Sequence, residues 1–322
     1  MTELPLPEGV WIPAELSPAA DRRFGRKYLL ALPHGYHADA ARPWPLVLFL
    51  HGRGEWGDDL ALVRSQGIGA LVDAGRMPEA IVVAPQTPEG QYWHPLFVDA
   101  VLREVEAGFR VEASRRYLTG LSMGGFGTLN AAITYPHRFA AIAPICGGLP
   151  NDFIAAESGA AFSDPRTLQT AVSRIAHLPI FIAHGEDDPV VPVEMSRRVV
   201  RMLESCGNTP EQRWLDGVGH DAWTPIYFDE SAFFPWLLRH RLVPTSRAAE
   251  PLHVDPMIVG TYVGAGASVS VAVSDGSVSL RWENGRRDLL MPLDGEWFVG
   301  TGLARFRGHA LEIPGLGELR RV

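Results

Sequence analysis

The sequence predicts an α/β protein in which helices flank a mainly parallel sheet and a small C-terminal antiparallel β domain follows. Residues 46–50 and 80–84 are continuous apolar runs, which are typical of strands buried on both faces of a parallel sheet. Segments with helical spacing of apolar residues, such as 96–113, alternate with such strands. After about residue 244 the helical periodicity disappears, and short alternating segments follow one another.

The elements before residue 244 are predicted in order from their periodicity. Residues 1–22 are rich in proline and lack a clear period, so we expect an N-terminal extension along the surface. The main domain spans 23–244. Its predicted strands are 26–32, 46–50, 80–84, 117–119, 140–145, 179–183 and 212–215, and its predicted helices are 96–113, 125–135, 193–206 and 231–241. The longest excursion between strands, 150–178, carries short helical pieces at 154–156 and 168–175 and is a candidate cover for part of a cleft.

The C-terminal part is predicted to be a separate β domain. Residues 245–250 are polar and small, which is typical of a linker, so we place a linker at 245–256 and the domain itself at 257–322. Hairpin-turn signals at 274–277 and 283–286 indicate an antiparallel sheet or half-barrel. The predicted strands are 268–273, 277–282, 288–292, 297–300, 304–307 and 311–313.

Composition excludes some classes of partner. The chain has 322 residues and a net charge of −8, and it offers no basic face that could bind nucleic acid. No run reaches the roughly 18 apolar residues of a membrane span, so we expect no membrane partner. No basic start followed by an apolar run indicates a secretory signal, so we expect a cytoplasmic location. Both cysteines, Cys146 and Cys206, are predicted to be free thiols.

A candidate nucleophile lies in the segment Gly120-Leu121-Ser122-Met123-Gly124. This segment fits the Gly-x-Ser-x-Gly pattern, in which the serine occupies a strained turn between a strand and a helix. Larger residues in place of the two glycines would clash with the tight backbone. A predicted strand precedes the segment and a predicted helix follows it, so the context matches. We therefore predict Ser122 as nucleophile and the N–H of Met123 as one oxyanion donor, against the alternative of an incidental serine in a glycine-rich turn.

A serine hydroxyl needs a base, and the base needs an acid that orients it. With this motif the chain order is serine, acid, histidine. The acidic loop after the predicted strand 179–183 carries Glu186, Asp187 and Asp188. We choose Asp188 as the acid from its place in a His-Gly-x-x-Asp-x-x-Val-Pro pattern, with Asp187 as the alternative and Glu186 less favoured. His220 follows the last predicted strand at the same sheet edge and is the candidate base.

The second oxyanion donor is expected in the loop His51-Gly52-Arg53-Gly54-Glu55, which follows another buried strand. Its glycines let backbone N–H groups approach a reacting carbonyl. We predict the N–H of Arg53 as donor, with that of Gly52 as the alternative. His51 is interpreted as a structural residue that holds the loop by hydrogen bonds. The Arg53 side chain is either solvated or available to a substrate carboxylate.

Three tryptophans lie near the predicted site loops: Trp56, Trp93 and Trp223. Aromatic rings at a cleft can stack on a sugar or an aryl acid, so these residues are candidates for a substrate pocket. The alternative for each is hydrophobic packing beneath the loops. The sequence does not decide between the two.

Together these segments resemble the α/β-hydrolase superfamily. They are similar to a predicted peptidase and carboxylesterase family close to feruloyl-esterase and polyhydroxybutyrate-depolymerase-like esterases. The segments that carry the resemblance are 50–59, 85–86 with Trp93, 120–127, 144–148, 184–192 and 219–225, and the likeness spans about 25–240. The resemblance implies that 23–244 is the catalytic domain of a serine carboxylesterase. It also implies an acyl-enzyme intermediate and neither a metal nor an organic cofactor. The C-terminal stretch is similar to lipocalin-like β domains appended to serine hydrolases.

The preferred hypothesis is hydrolysis of short-chain or carbohydrate-linked esters, with a small-molecule ester as the partner. The alternatives are a serine peptidase of small peptides and a non-catalytic binding protein on a hydrolase scaffold. An intact set of serine, acid and histidine argues against the second alternative. The C-terminal domain is a candidate for dimerisation, or for binding a glycan or polymer, and its sequence leaves these open.

Overall fold

The computed structural model divides the chain into two compact units, and each is described by itself. The first comprises Met1–Gly148 and Val172–Val243, and the second comprises Leu149–Ala171 and Pro244–Val322. The domain boundaries expected from the sequence, at 22/23, 244/245 and 256/257, stay predictions. The residues that the structure describes are 5–20, 22, 24–149, 165–229, 231–242, 256–264, 266–274, 277–284, 287–294, 297–299, 303–313 and 317–322.

Within the described part of the first unit, eight strands form one mainly parallel sheet in the order β1-β2-β4-β3-β5-β6-β7-β8. β2 pairs antiparallel with β1 and β4, and the other neighbours are parallel. The strands are β1 Trp11–Glu15, β2 Lys27–Ala31, β3 Trp44–Leu50, β4 Ile81–Pro85, β5 Val111–Leu121, β6 Ala141–Ile145, β7 Phe181–Gly185 and β8 Glu211–Leu215. The predicted mainly parallel fold is confirmed.

Helices cover both faces of this sheet, because its central strands are apolar on both sides. α1, α2, α7 and α8 pack on the face that carries Phe49 and Tyr117. α3 packs on α4, which packs on β3, β5 and β6. No helix among the described residues is long and apolar enough to cross a membrane. The helices are α1 Leu60–Val63, α2 Gly67–Asp73, α3 Pro95–Gly108, α4 Met123–Thr134, α5 Pro165–Ser173, α6 Val193–Ser205, α7 Trp223–Tyr227 and α8 Phe233–Leu238.

The N-terminal segment is more ordered than the sequence indicated. Residues 11–15 do not merely lie along the surface: they form the edge strand β1, paired with β2. The indole N–H of Trp11 donates to the carbonyl of Gly69 at 3.0 Å. Pro13 sits inside β1, and an edge strand tolerates proline because one side of its backbone is not paired.

The second unit contains a closed antiparallel barrel. It consists of β9 Gly260–Gly264, β10 Ala267–Ser274, β11 Ser277–Trp282, β12 Arg287–Asp294, β13 Trp297–Val299, β14 Leu303–Arg307, β15 Ala310–Ile313 and β16 Gly317–Arg321. The antiparallel prediction is confirmed, and pairing of β16 with β9 closes the sheet beyond a half-barrel. Alternate side chains such as Tyr262, Val269 and Leu319 fill the interior.

Some expectations fall outside the described residues. These are the helical piece at 154–156 and the linker at 245–256 except for Pro256. The second expected piece, 168–175, overlaps α5. A short 3₁₀ turn, Pro256–Ile258, precedes the barrel. Its Ile258 side chain belongs to the barrel core, which shows that this core begins before the first strand of the barrel.

Candidate active site

Ser122 occupies the strained turn between β5 and α4. Its backbone has φ 52° and ψ −119°, an uncommon conformation for a residue with a side chain. A Cβ on Gly124 would overlap the carbonyl oxygen of Leu50, and one on Gly120 would overlap that of Gly124. The turn therefore needs both glycines, and it holds the serine above the carboxyl ends of the parallel strands.

The structure brings Ser122, His220 and Asp188 together in one chain of hydrogen bonds. Ser122 Oγ lies 2.9 Å from His220 Nε2, and His220 Nδ1 lies 2.7 Å from Asp188 Oδ2. An ionised carboxylate only accepts, so Nδ1 carries the proton and Nε2 is the acceptor for the serine hydroxyl. This arrangement can remove a proton from Ser122 and stabilise the imidazolium that results.

Asp188 is held as an anion within the protein. Its side chain is completely buried, which raises the pKa. Hydrogen bonds from His220 and from the backbone N–H groups of Val191 and Val190 outweigh this effect and leave the pKa below its usual value. The two backbone groups donate to Oδ1 at 2.9 and 2.8 Å. Oδ2 therefore faces the histidine.

The neighbouring acids face elsewhere. Asp187 is exposed, and Glu186 forms an ion pair with Arg197. Of the three acids in the loop, Asp188 is the one that contacts His220. The geometry therefore agrees with the choice of Asp188 over its neighbours.

His51 fixes the loop that follows β3. Its Nε2 accepts the N–H of Thr87 at 3.1 Å, and its Nδ1–H donates to the carbonyl of Gly52 at 2.6 Å. Burial lowers the pKa of His51 to about 4, so the ring is neutral at neutral pH, as this pattern requires. Within a trans peptide the C=O and N–H point in opposite directions. Anchoring the Gly52 carbonyl therefore orients the N–H of Arg53.

The two other expected oxyanion donors differ in their surroundings. Met123 begins α4, and the first N–H groups of a helix have no partner within it. The backbone of Gly52 instead hydrogen-bonds to the carboxyl group of Glu55. Arg53 and Met123 therefore suit the role better than the alternative, Gly52.

Of the two roles left open for Trp93, its burial favours packing beneath the loops. Its ring is 2% exposed, and its indole N–H donates to the carbonyl of His51 at 3.0 Å. Trp223 is also buried: it donates to Gln66 at 3.0 Å and packs edge-on against His220, with 5.2 Å between ring centroids. Both tryptophans support site residues from beneath, because their large apolar rings gain more from burial than from exposure.

Trp56 is the half-buried member of the three. Its ring contacts that of Tyr92, with centroids 5.7 Å apart, and the Arg53 guanidinium lies 5.1 Å from its centroid. The side chains of Trp56, Tyr92 and Arg53 thus form a partly exposed cluster beside the loop 51–55. We name it the Trp56 cluster.

Two residues against the site were not singled out from the sequence. Burial raises the pKa of the Glu55 carboxyl, one oxygen of which is buried without a hydrogen-bond partner. His184 contacts Asp188 Oδ2 at 3.1 Å, the oxygen that also faces His220. The available signal was the His-Gly-x-x-Asp pattern, which contains His184 at the end of a predicted strand.

A metal ion would disrupt this arrangement. Among the described residues, one group offers ligand atoms within 4.8 Å of one another: Cys146, Asp188 and His220. Burial raises the pKa of the Cys146 thiol. Neither Cys146 nor Cys206 is in a disulfide, as predicted. Coordination would also break the His220–Asp188 hydrogen bond. The donor set therefore suits proton transfer better than metal binding.

Comparison with known proteins gives consistent matches. A family model described as "Putative esterase" matches residues 23–222. Feruloyl esterase C of Emericella nidulans is 31% identical over 177 residues, 53% of this chain and 57% of the relative. Poly(3-hydroxyalkanoate) depolymerase C of Paucimonas lemoignei is 33% identical over 134 residues, 36% of this chain and 30% of the relative. The chain spans less than two thirds of the length of these curated relatives.

The fold matches as well. The crystal structure of a thermostable esterase superposes with a TM-score of 0.55 and 30% sequence identity. The match covers 72% of this chain and 63% of that chain. The family model includes the turn that carries the candidate serine.

Proposed function

Because this chain belongs to the "Putative esterase" family, we propose that it hydrolyses carboxylic esters with Ser122 as nucleophile. One observation carries the proposal: the continuous hydrogen-bonded chain from Ser122 through His220 to Asp188. A serine activated in this way attacks acyl carbons and needs no other nucleophile.

The reaction proceeds in two halves. Ser122 Oγ attacks the ester carbonyl carbon while His220 Nε2 takes the hydroxyl proton. The tetrahedral intermediate collapses, the C–O bond to the alcohol breaks, and His220 returns the proton to the departing oxygen. Water then attacks the acyl-enzyme with His220 again as base, which releases the acid and restores Ser122. Asp188 keeps the tautomer of His220 and stabilises its charged form in both halves.

The negative charge on the carbonyl oxygen is stabilised by two backbone N–H groups, those of Met123 and Arg53. The position of Met123 at the start of α4 adds the favourable end of the helix dipole. His51 supports the second donor by anchoring the Gly52 carbonyl. Donors fixed in advance need little reorganisation when charge develops, which makes this stabilisation effective.

The substrate class we propose is short-chain or carbohydrate-linked esters, including those with an aryl acid. Two relatives are a feruloyl esterase and a polyester depolymerase by name. The Trp56 cluster supports the aryl part, because partly exposed aromatic rings can stack on planar groups. A panel of p-nitrophenyl acetate, feruloylated and acetylated saccharides and small peptides tests this, and faster turnover of the peptides would overturn it.

The test of the nucleophile is Ser122→Ala. We expect the variant to keep its circular dichroism spectrum, to lose p-nitrophenyl acetate turnover roughly 10⁴-fold and to lose labelling by a fluorophosphonate probe. Ser65→Ala, which removes an exposed hydroxyl, is the matched control. Wild-type turnover in the Ser122 variant would refute the assignment.

A cytoplasmic location, the lack of a nucleic-acid partner and association through the barrel are proposals of the same kind. They rest on the sequence, and cell fractionation, a binding assay with DNA and RNA, and molar mass in solution test them.

A further inference from the structure

A second histidine contacts the acid of the site. His184 lies in β7 and is completely buried. Its Nε2 lies 3.1 Å from Asp188 Oδ2, the same oxygen that faces His220, and 2.9 Å from the carbonyl oxygen of Val191. Oδ2 is therefore within hydrogen-bond reach of two imidazole rings.

The partners of His184 fix where its proton resides. The carbonyl of Val191 and the carboxylate of Asp188 can only accept, so Nε2 carries the proton. Burial lowers the pKa of His184, so the ring carries a single proton at neutral pH and its Nδ1 is an acceptor. Ser196 Oγ lies 2.7 Å from Nδ1 and 2.7 Å from the carbonyl of Gly147. This hydroxyl has one proton for two acceptors, so the tautomer is selected at Nε2, where both neighbours only accept.

The titratable groups near this ring are few among the described residues. Asp188 faces it from the loop after β7, and His220 lies beyond Asp188 on the loop after β8. The buried Cys146 thiol faces Asp188 from the end of β6. From α6 the contact is the neutral hydroxyl of Ser196. The negative charge of Asp188 is thus shared between two neutral imidazole donors.

We propose that His184 is a positioning residue that donates to Asp188 Oδ2 and limits how strongly Asp188 stabilises protonated His220. This inference rests on the proposed function of Ser122 and His220. A second donor holds the carboxylate plane against rotation, and it disperses charge that would otherwise act on His220 alone. The charged form of His220 is therefore stabilised less than it would be beside an unshared carboxylate.

Two substitutions separate this role from a packing role. His184→Gln places an amide N–H near the position of Nε2 and can still donate to Asp188. His184→Asn reaches only the position of Nδ1, so it keeps the contact with Ser196 and loses the donor to Asp188. Ser196→Ala keeps the ring but removes the hydroxyl that contacts its Nδ1. The control is His177→Asn, since His177 is exposed and near the opposite, amino end of β7.

The measurement is the pH profile of kcat/KM for p-nitrophenyl acetate, with circular dichroism of each variant. We expect the acid limb of His184→Asn to move up by about half to one pH unit and kcat to fall roughly tenfold. The acid limb of His184→Gln should stay near that of the wild type, and Ser196→Ala should shift partway in the same direction. His177→Asn should match the wild type.

An unmoved acid limb in both His184→Asn and Ser196→Ala overturns the inference, as does an equal shift in the asparagine and glutamine variants. If His184→Asn does not fold, Ser196→Ala against His184→Gln decides the question in the same way. A wild-type protein without ester turnover refutes the proposed function instead, so the two failures are distinguishable.

Discussion

Asp188 receives hydrogen bonds on both carboxylate oxygens, and each restricts how the group can turn. The N–H groups of Val190 and Val191 donate to Oδ1, while His184 and His220 both contact Oδ2. Removing a charge from water is costly unless donors replace the solvent. These donors replace the water around the Asp188 carboxylate, which offsets the cost of burying its charge. They also fix its orientation toward His220.

Replacing the acid tests that set directly. Asp188→Asn should reduce kcat for p-nitrophenyl acetate by about 10⁴-fold, because the amide favours the wrong tautomer of His220. Asp187→Asn changes an exposed carboxylate one position earlier and should leave kcat within twofold of the wild type. Steady-state kinetics of both variants measure the effect, and the reverse order would exchange their roles.

His51 makes the stability of the fold depend on pH. Its pKa falls from the ordinary 6.5 to about 4 in the folded protein, so the unfolded chain binds a proton first on acidification. The contribution of neutral His51 to the unfolding free energy is complete above pH 6.5 and is lost as the pH falls toward 4. One pKa unit corresponds to about 1.4 kcal/mol, so the loss amounts to about 3 kcal/mol.

The variant that checks this is His51→Gln, which cannot titrate. Urea unfolding between pH 7 and pH 4 should show a shallower dependence of the unfolding free energy on pH, by up to one proton. His34→Gln, at an exposed position, should keep the wild-type dependence. If His51→Gln leaves the pH dependence of the unfolding free energy unchanged, His51 is not the group responsible for it.

At the scale of single elements, the close approach of α4 to β3 determines the shape of the turn. The helix begins beneath the carbonyl of Leu50, where Gly124 leaves no room for a side chain. The same approach brings the first helical N–H groups to the carboxyl edge of the sheet. The turn at Ser122 and the position of the proposed oxyanion donor, the N–H of Met123, thus both follow from one packing contact.

Gly124→Ala should therefore lower the unfolding free energy by about 3 kcal/mol, because overpacking against backbone cannot relax easily. Gly108→Ala lies at the exposed end of α3 with open space around it and should be neutral or slightly stabilising. Thermal unfolding of both variants measures the difference. Equal melting temperatures would show that the helix can shift away from β3.

Elements with strong periodicity were predictable, and those that depend on distant partners were not. The buried strands and α3, α4 and α6 follow from apolar patterns, and the family resemblance is confirmed. β1 contains Pro13 and is stable only through β2, while β9 and β16 are short, glycine-bounded strands that complete the barrel. Pairing, rather than propensity, forms these three.

The candidate site residues were predictable where the order of serine, acid and histidine along the chain assigns them. Ser122 and His220 follow from motif and order, but the choice between Asp187 and Asp188 depends on how the loop turns. The burial of Trp93 could not be predicted either. A buried tryptophan that packs under a loop and an exposed one that lines a cleft can have the same sequence neighbours. Which nitrogen of His184 carries the proton could not be predicted, because it depends on where the folded loop places its acceptors.

On the scale of the whole molecule, the chain carries two separate hydrophobic cores. One surrounds the mainly parallel sheet, and the other fills the barrel with residues such as Tyr262 and Leu319. The residues proposed for catalysis lie in the first unit. Damage to the second core should therefore leave the chemistry of the first intact.

Leu319→Asp puts a charge into the barrel interior, where the side chain is fully buried. We expect the barrel to unfold in this variant while Ser122 still reacts with a fluorophosphonate at the wild-type rate. Val263→Asp, at a position 45% exposed on the same barrel, should leave both properties unchanged. Proteolysis of the C-terminal unit combined with probe labelling measures them, and loss of labelling in Leu319→Asp would show that the site needs the barrel.

Closure of the barrel also limits how this unit can associate with other molecules. Each of its described strands has a neighbour on both sides, so the ladder offers no open edge to a strand from another chain. Growth by edge-to-edge pairing, the usual route from exposed β structure to fibres, would first have to break the β16–β9 seam. Any partner of the closed barrel must recognise its outward side chains, and truncation within 317–321 would open the seam and create an aggregation-prone edge.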